Sequence, residues 1–211
     1  MALPSKEFRD GVAVVAIDPS APYASGIRRV LPQARIVLDH FDLVMLANKM
    51  LTDVRQRVQH EQQGRRGMKV DPPWALRRLL LRAGDELGPK ALARLKTVFD
   101  TDDPTDEISA AWCIKELLRQ MLQAHGPNGN SRHQTSTRRT RFLAACVDAD
   151  MPEATRLAAT IERWWPDIEG FLELGNTSAR TEGYKRVACG FRNQENYERR
   201  IMLHRVVRRA A

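Results

Sequence analysis

The sequence predicts a mostly helical α/β chain in which a short strand–helix–strand unit precedes a long all-helical stretch. Residues 12–17 form an unbroken, β-branched apolar run between Gly11 and the pair Asp18-Pro19. That length and composition suit a strand buried on both faces rather than a helix. Residues 34–38 repeat the signature and close at Asp39. Beyond Asp39 apolar residues recur at helical spacing for most of the chain.

Between the two strands, residues 20–30 form a helix that Leu31-Pro32 ends. Strand, helix and strand with short connections make a right-handed crossover between parallel neighbours. Ligands of such sheets sit beyond the carboxyl ends of the strands, where Asp18 and Asp39 each fall one residue past an end. Leu43, Leu46, Ala47, Met50, Leu51, Val54 and Val58 then mark one face of a helix over residues 41–58. Residues 64–73 read as a basic loop containing Gly and Pro. Further helices are expected over 74–82, 90–98, 105–124, 137–149 and 153–174, the last bending at Pro166. Residues 126–137, rich in Gly, Asn, Ser and Thr, read as a loop. Trp74, Trp112, Trp164 and Trp165 are assigned to core packing. A polar segment near Thr177 leads into a basic helix with Glu182 in its first turn, and a last helix covers 194–209.

The chain has 211 residues, 43% of them hydrophobic, enough for a substantial core and too many for intrinsic disorder. No apolar run approaches bilayer length and the N-terminus carries no apolar signal core, so the expectation is a cytoplasmic protein without membrane contact. Cys113, Cys146 and Cys189 are odd in number and widely spaced, which fits reduced thiols rather than a disulfide frame or zinc site. The formal charge is +8, with 34 basic residues of which 27 are Arg. Residues 55–82 hold eight basic and two acidic side chains, residues 180–211 nine and three, and the acidic stretch 84–116 separates them. Two basic segments flanking an acidic one suit either a surface for nucleic acid, with phosphates neutralised at two places, or solvated helix faces.

Ala16-Ile17-Asp18-Pro19-Ser20 with Tyr23, then Leu31-Pro32 and Ile36-Val37-Leu38-Asp39-His40-Phe41, resembles the central block of insertion-sequence DDE transposases of the ISL-three group. Ala179-Arg180-Thr181-Glu182-Gly183 and Gly190-Phe191-Arg192-Asn193, followed by Tyr197 and Arg200, resemble that family's closing block. The ordered set is more specific than any one motif. The resemblance implies an α/β remnant of a ribonuclease-H-like core, two parallel strands, with a large all-α insertion. Its domains would be a partial core over 1–44 (fourth and fifth strands), the insertion over 45–174, and glutamate-bearing and basic core helices over 175–211. It implies DNA strand cleavage and transfer at transposon ends, with Asp18 and Glu182 catalytic and Asp18, Glu182 and Asp39 around the metal. The cofactor would be Mg²⁺ or Mn²⁺, because hard carboxylate oxygens suit such ions in phosphoryl transfer. From the residues alone, Asp18 also reads as a turn or capping residue before Pro19, and Glu182 as a first-turn charge favoured by the helix dipole.

Lys185, Arg186, Arg192, Arg199 and Arg200 are the expected contacts to duplex DNA. No small-molecule substrate is expected. Three departures from the family stand out. Its first catalytic aspartate lies upstream of the match, Asp42 stands where the family tends to have His, and about seven residues, roughly two helical turns, are missing between Gly183 and Lys185. The expectation is therefore a truncated transposase, inactive as this chain, with an open edge on its first strand that promotes self-association. The alternative is a non-catalytic basic helical protein that binds DNA or another transposase subunit.

Overall fold

The structure is a computed structural model and describes residues 5–123 and 131–174. All of these lie in the first of two units, Met1–Asn176; the second, Thr177–Ala211, lies outside the described residues. The described residues are mostly helical, with one small parallel sheet.

A short helix α1 (Lys6–Asp10) precedes β1 (Val14–Ile17), α2 (Ala21–Val30) and β2 (Arg35–Leu38). β1 and β2 pair in parallel from Val14 opposite Arg35 to Ile17 opposite Leu38. β2 is buried at Ile36, Val37 and Leu38, whereas every residue of β1 is only half-buried. The expectation of a first strand buried on both faces fails here. Among the described residues β1 has a strand on one side only, and that leaves its flanks partly open.

α3 (His40–Gln63) begins directly after β2 and is longer than its apolar pattern suggested. Asp39 caps it by accepting the Phe41 N–H at 3.0 Å. Gly64, at φ 68°, ends it by donating its N–H to the His60 carbonyl. The expected helix over 74–82 is two single turns, α4 (Pro72–Ala75) and α5 (Arg77–Leu80), followed by a 3-10 turn at Gly84–Glu86. Then come α6 (Pro89–Asp102), α7 (Glu107–Gln123), α8 (Arg132–Asp148), α9 (Pro152–Arg163) and α10 (Trp165–Leu174). α8 starts earlier than expected because Ser131 and Gln134 form a capping box, so residues 132–137 are helical. The expected single helix over 153–174 is broken at Trp164, and Pro166 sits in the first turn of α10, where its missing N–H costs no bond.

The core runs along α3 through Leu43, Ala47, Leu51 and Val54 and continues with Ile108, Ile114 and Leu118 of α7, Phe142 of α8 and Ile161 of α9. Of the four tryptophans Trp164 is buried, while Trp74, Trp112 and Trp165 are half-buried at the margins of this core. Two polar devices tie the helices together. Arg57 of α3 donates to Glu153 of α9 at 2.9 Å and to Glu107 of α7 at 2.8 Å. Lys115 of α7, with no exposed side-chain area, donates to the carbonyls of Leu80 and Arg82 at 2.8 and 2.6 Å and lies 2.6 Å from Glu116. The Lys115 ammonium thereby satisfies carbonyls at the end of α5 that have no helical partner.

The sheet is joined to the helical body through α10. A Cβ on Gly170 would stand 2.9 Å from Arg35 Nε and 3.2 Å from Val37 Cγ1, so α10 lies close on β2 here and a larger residue would have to shift both side chains. Arg35 pairs with Glu173 at 2.8 Å and Arg28 of α2 pairs with Asp167 at 3.3 Å, which fixes α10 against both elements.

Candidate active site

Asp18 and Asp39 follow the last residues of two adjacent parallel strands, and their strands are in register up to that point. The ladder extends one bond further, because the Asp39 N–H donates to the Ile17 carbonyl at 3.2 Å. The two aspartates therefore stand across from one another at the carboxyl edge of the sheet, the position where open α/β sheets bind ligands.

Their surroundings differ. Asp18 is exposed and makes no hydrogen bond or ion pair with the described residues. Asp39 is buried, with 2% of its side chain exposed. Its Oδ1 accepts the Phe41 N–H and lies 3.5 Å from His40 Nδ1. Part of Asp39's work is thus structural: a carboxylate at the positive end of a 24-residue helix. His40 in turn stacks on Phe171 of α10, ring centroids 5.1 Å apart and planes 13° from parallel. Sequence reasoning passed over this support of the second aspartate by α10. Its visible trace was His40 next to Asp39; Phe171, more than a hundred residues away, offers no local signal.

Glu182, Lys185, Arg186, Arg192, Arg199 and Arg200 lie outside the described residues. Among the described residues no three His, Cys, Asp or Glu side chains converge as a metal site. The donor chemistry at this edge still fits a hard divalent cation, because Asp18 offers an accessible carboxylate that no described cation neutralises, beside a second carboxylate. Among the described residues no helix is long and apolar enough to cross a membrane.

The two described cysteines, Cys113 and Cys146, offer no alternative chemistry. Burial pushes the Cys146 thiol up to about 12 and also raises Cys113, so neither is an activated nucleophile.

The profile of the ISL-three DDE family, described as Transposase, matches residues 1–201. No curated protein and no solved structure matches the chain. The match runs from the strand–helix–strand unit through the helical body and past Glu182, and the chain belongs to the ISL-three family of DDE transposases.

Proposed function

We propose that this chain carries the metal-binding edge of a DNA-cleaving and DNA-joining transposase, with Asp18 and Glu182 as the metal-holding catalytic carboxylates. The observation that carries the reading is the placement of Asp18 and Asp39 one residue past the ends of two paired parallel strands. In this reading β1, α2 and β2 are the fourth and fifth strands of a ribonuclease-H-like core with their crossover. Residues 1–44 belong to that core, residues 45–174 are an all-helical insertion, and residues 175–211 return to the core with Glu182.

Mg²⁺ or Mn²⁺ bound there would supply charge neutralisation for an in-line displacement at a DNA phosphate. The protein's part is to orient the donors. Asp18 presents its carboxylate from the end of β1. Asp39 holds α3 by its cap and adds negative charge beside Asp18. Lys185, Arg186, Arg192, Arg199 and Arg200 neutralise phosphates of the duplex, and the resulting affinity falls steeply with salt.

Calorimetric titration of the full chain with Mn²⁺ tests this reading. Saturable binding that competes with Mg²⁺ and is lost in Asp18→Asn is expected. A protein that binds duplex DNA while its Mn²⁺ isotherm is unchanged by Asp18→Asn is the non-catalytic DNA-binding alternative.

A further inference from the structure

Residues 55–82 carry eight basic side chains, and the fold engages five of them internally. Arg55 is buried and donates to Gln59. Arg57 bridges Glu153 and Glu107. Arg65 forks onto both oxygens of Asp71. Arg77 donates to the Trp74 carbonyl at 3.0 Å and lies 3.5 Å over the Trp74 ring. Arg82 donates to the Glu86 carbonyl at 3.2 Å. Arg66, Lys69 and Arg78 remain exposed, with no hydrogen bond or ion pair to the described residues.

The loop that presents Arg66 and Lys69 is held rigidly. Asp71 accepts the Met68 N–H at 2.5 Å as well as the Arg65 fork, closing residues 65–71 on themselves. Gly67 has φ 98°, and a Cβ there would stand 2.6 Å from Gln59 Oε1, so the loop backbone lies directly on the buried Arg55–Gln59 pair of α3. α4 and α5 follow the loop directly in the chain, with Arg78 seven residues past Asp71.

We propose that the loop at residues 64–71, together with Arg78, grips the phosphates of duplex DNA about one helical turn from the Asp18 edge. The two places sit at opposite ends of α3, whose 24 residues span about 36 Å. One turn of B-DNA advances about 34–36 Å, or roughly 10 base pairs. A duplex laid along α3 would span the distance from the Asp18 edge to the loop. Three cations without an acidic partner suit phosphate forks and point charges. The loop carries no aromatic residue on which an unpaired base could stack, which favours duplex over single strand. The spacing rests on the proposed reading of the Asp18 edge; the grip itself does not.

The test is binding of the full chain to a mixed-sequence 30-base-pair duplex at several salt concentrations, with hydroxyl-radical footprinting. Changing Arg66, Lys69 and Arg78 together to Ala should reduce the slope of log K against log salt by about 2.7. It should also erase protection about 10 base pairs from the reactive phosphate and leave Mn²⁺ binding intact. Gly67→Ala keeps all three cations and the Arg65–Asp71 pair but strains the loop, so affinity should fall several-fold with the slope unchanged. An unaltered slope in the triple variant, or an equal loss of affinity for single-stranded RNA of the same length, overturns the proposal. Failure of the Asp18 reading would show separately, as Mn²⁺ binding indifferent to Asp18→Asn beside a normal slope loss in the triple variant.

Discussion

The sheet end and the helical body of this chain are built on opposite principles. The body buries long apolar stripes of α3, α7, α8 and α9 against one another and closes its few buried charges with partners, as Lys115 and Arg57 show. The sheet end has two strands of four residues, a half-buried β1, and an exposed carboxylate without a described partner at its edge. Two strands alone are marginal in water, so the sheet depends on α10 for cover. Stability is concentrated in one region and unsatisfied chemical potential in the other, a common division between scaffold and site.

The contrast is broken most forcefully in the body. Lys115→Met removes the donor to two carbonyls and one of the two cations beside Glu116, which keeps Arg119 at 3.3 Å. Denaturant unfolding should show a loss of about 3 kcal/mol, the cost of leaving two carbonyls without their donor.

Acid probes the other clasp. Burial acts to raise the Glu153 pKa, but the hydrogen bond and charge of Arg57 outweigh it, and the carboxyl ends below its usual 4.5. A carboxylate whose folded value is depressed stabilises the fold above its unfolded pKa and loses that contribution as pH falls through the folded one. Stability should therefore drop below about pH 4.5, and Arg57→Met should remove about 2 kcal/mol at neutral pH while flattening that acid limb.

A smaller change separates the two regions. Gly170→Ala wedges α10 away from Val37, costing about 1–2 kcal/mol of packing against less than 1 kcal/mol gained in helix propensity. Hydrogen exchange should show amides of β2 losing protection while those of α7 keep theirs. Equal loss in both would mean the regions unfold as one unit.

The smallest expected effect concerns the edge of β1 that no described strand covers. Ala13 and Ile17 turn their carbonyls toward β2, so the alternating backbone of Val14 and Ala16 faces away from it. We propose that this edge supports self-association, because nothing charged or proline-like blocks it within β1. Light scattering should show concentration-dependent association that Ala16→Pro reduces without loss of the β1–β2 ladder.

Much of this was legible in the sequence because local chemistry dictated it. β-branched runs ending at Asp18 and Asp39 marked both strands, and the stripe from Leu43 to Val58 marked α3. What escaped was set by contacts distant in sequence. The half-burial of β1 depends on which neighbours flank it, which its own residues do not encode. The bend expected at Pro166 is a full break at Trp164, because Pro166 cannot continue a helix from α9 and opens α10 in its first turn instead. The basic run at 55–82 suited either a phosphate surface or solvated helix faces, but Asp71 within the run engages Arg65, and Glu107 and Glu153 from other helices engage Arg57. Counting charges along the chain cannot see partners supplied from elsewhere in the fold.

We propose that the carboxyl edge of the sheet at Asp18 and Asp39 holds a divalent metal ion. Fe²⁺ with ascorbate generates radicals that cut the backbone beside a bound ion, so peptide mapping of the cuts reads the site directly. Cuts are expected near residues 18 and 39, suppressed by excess Mg²⁺ and absent in Asp18→Asn. Cuts confined to other segments, or a pattern unchanged by Asp18→Asn, would contradict it.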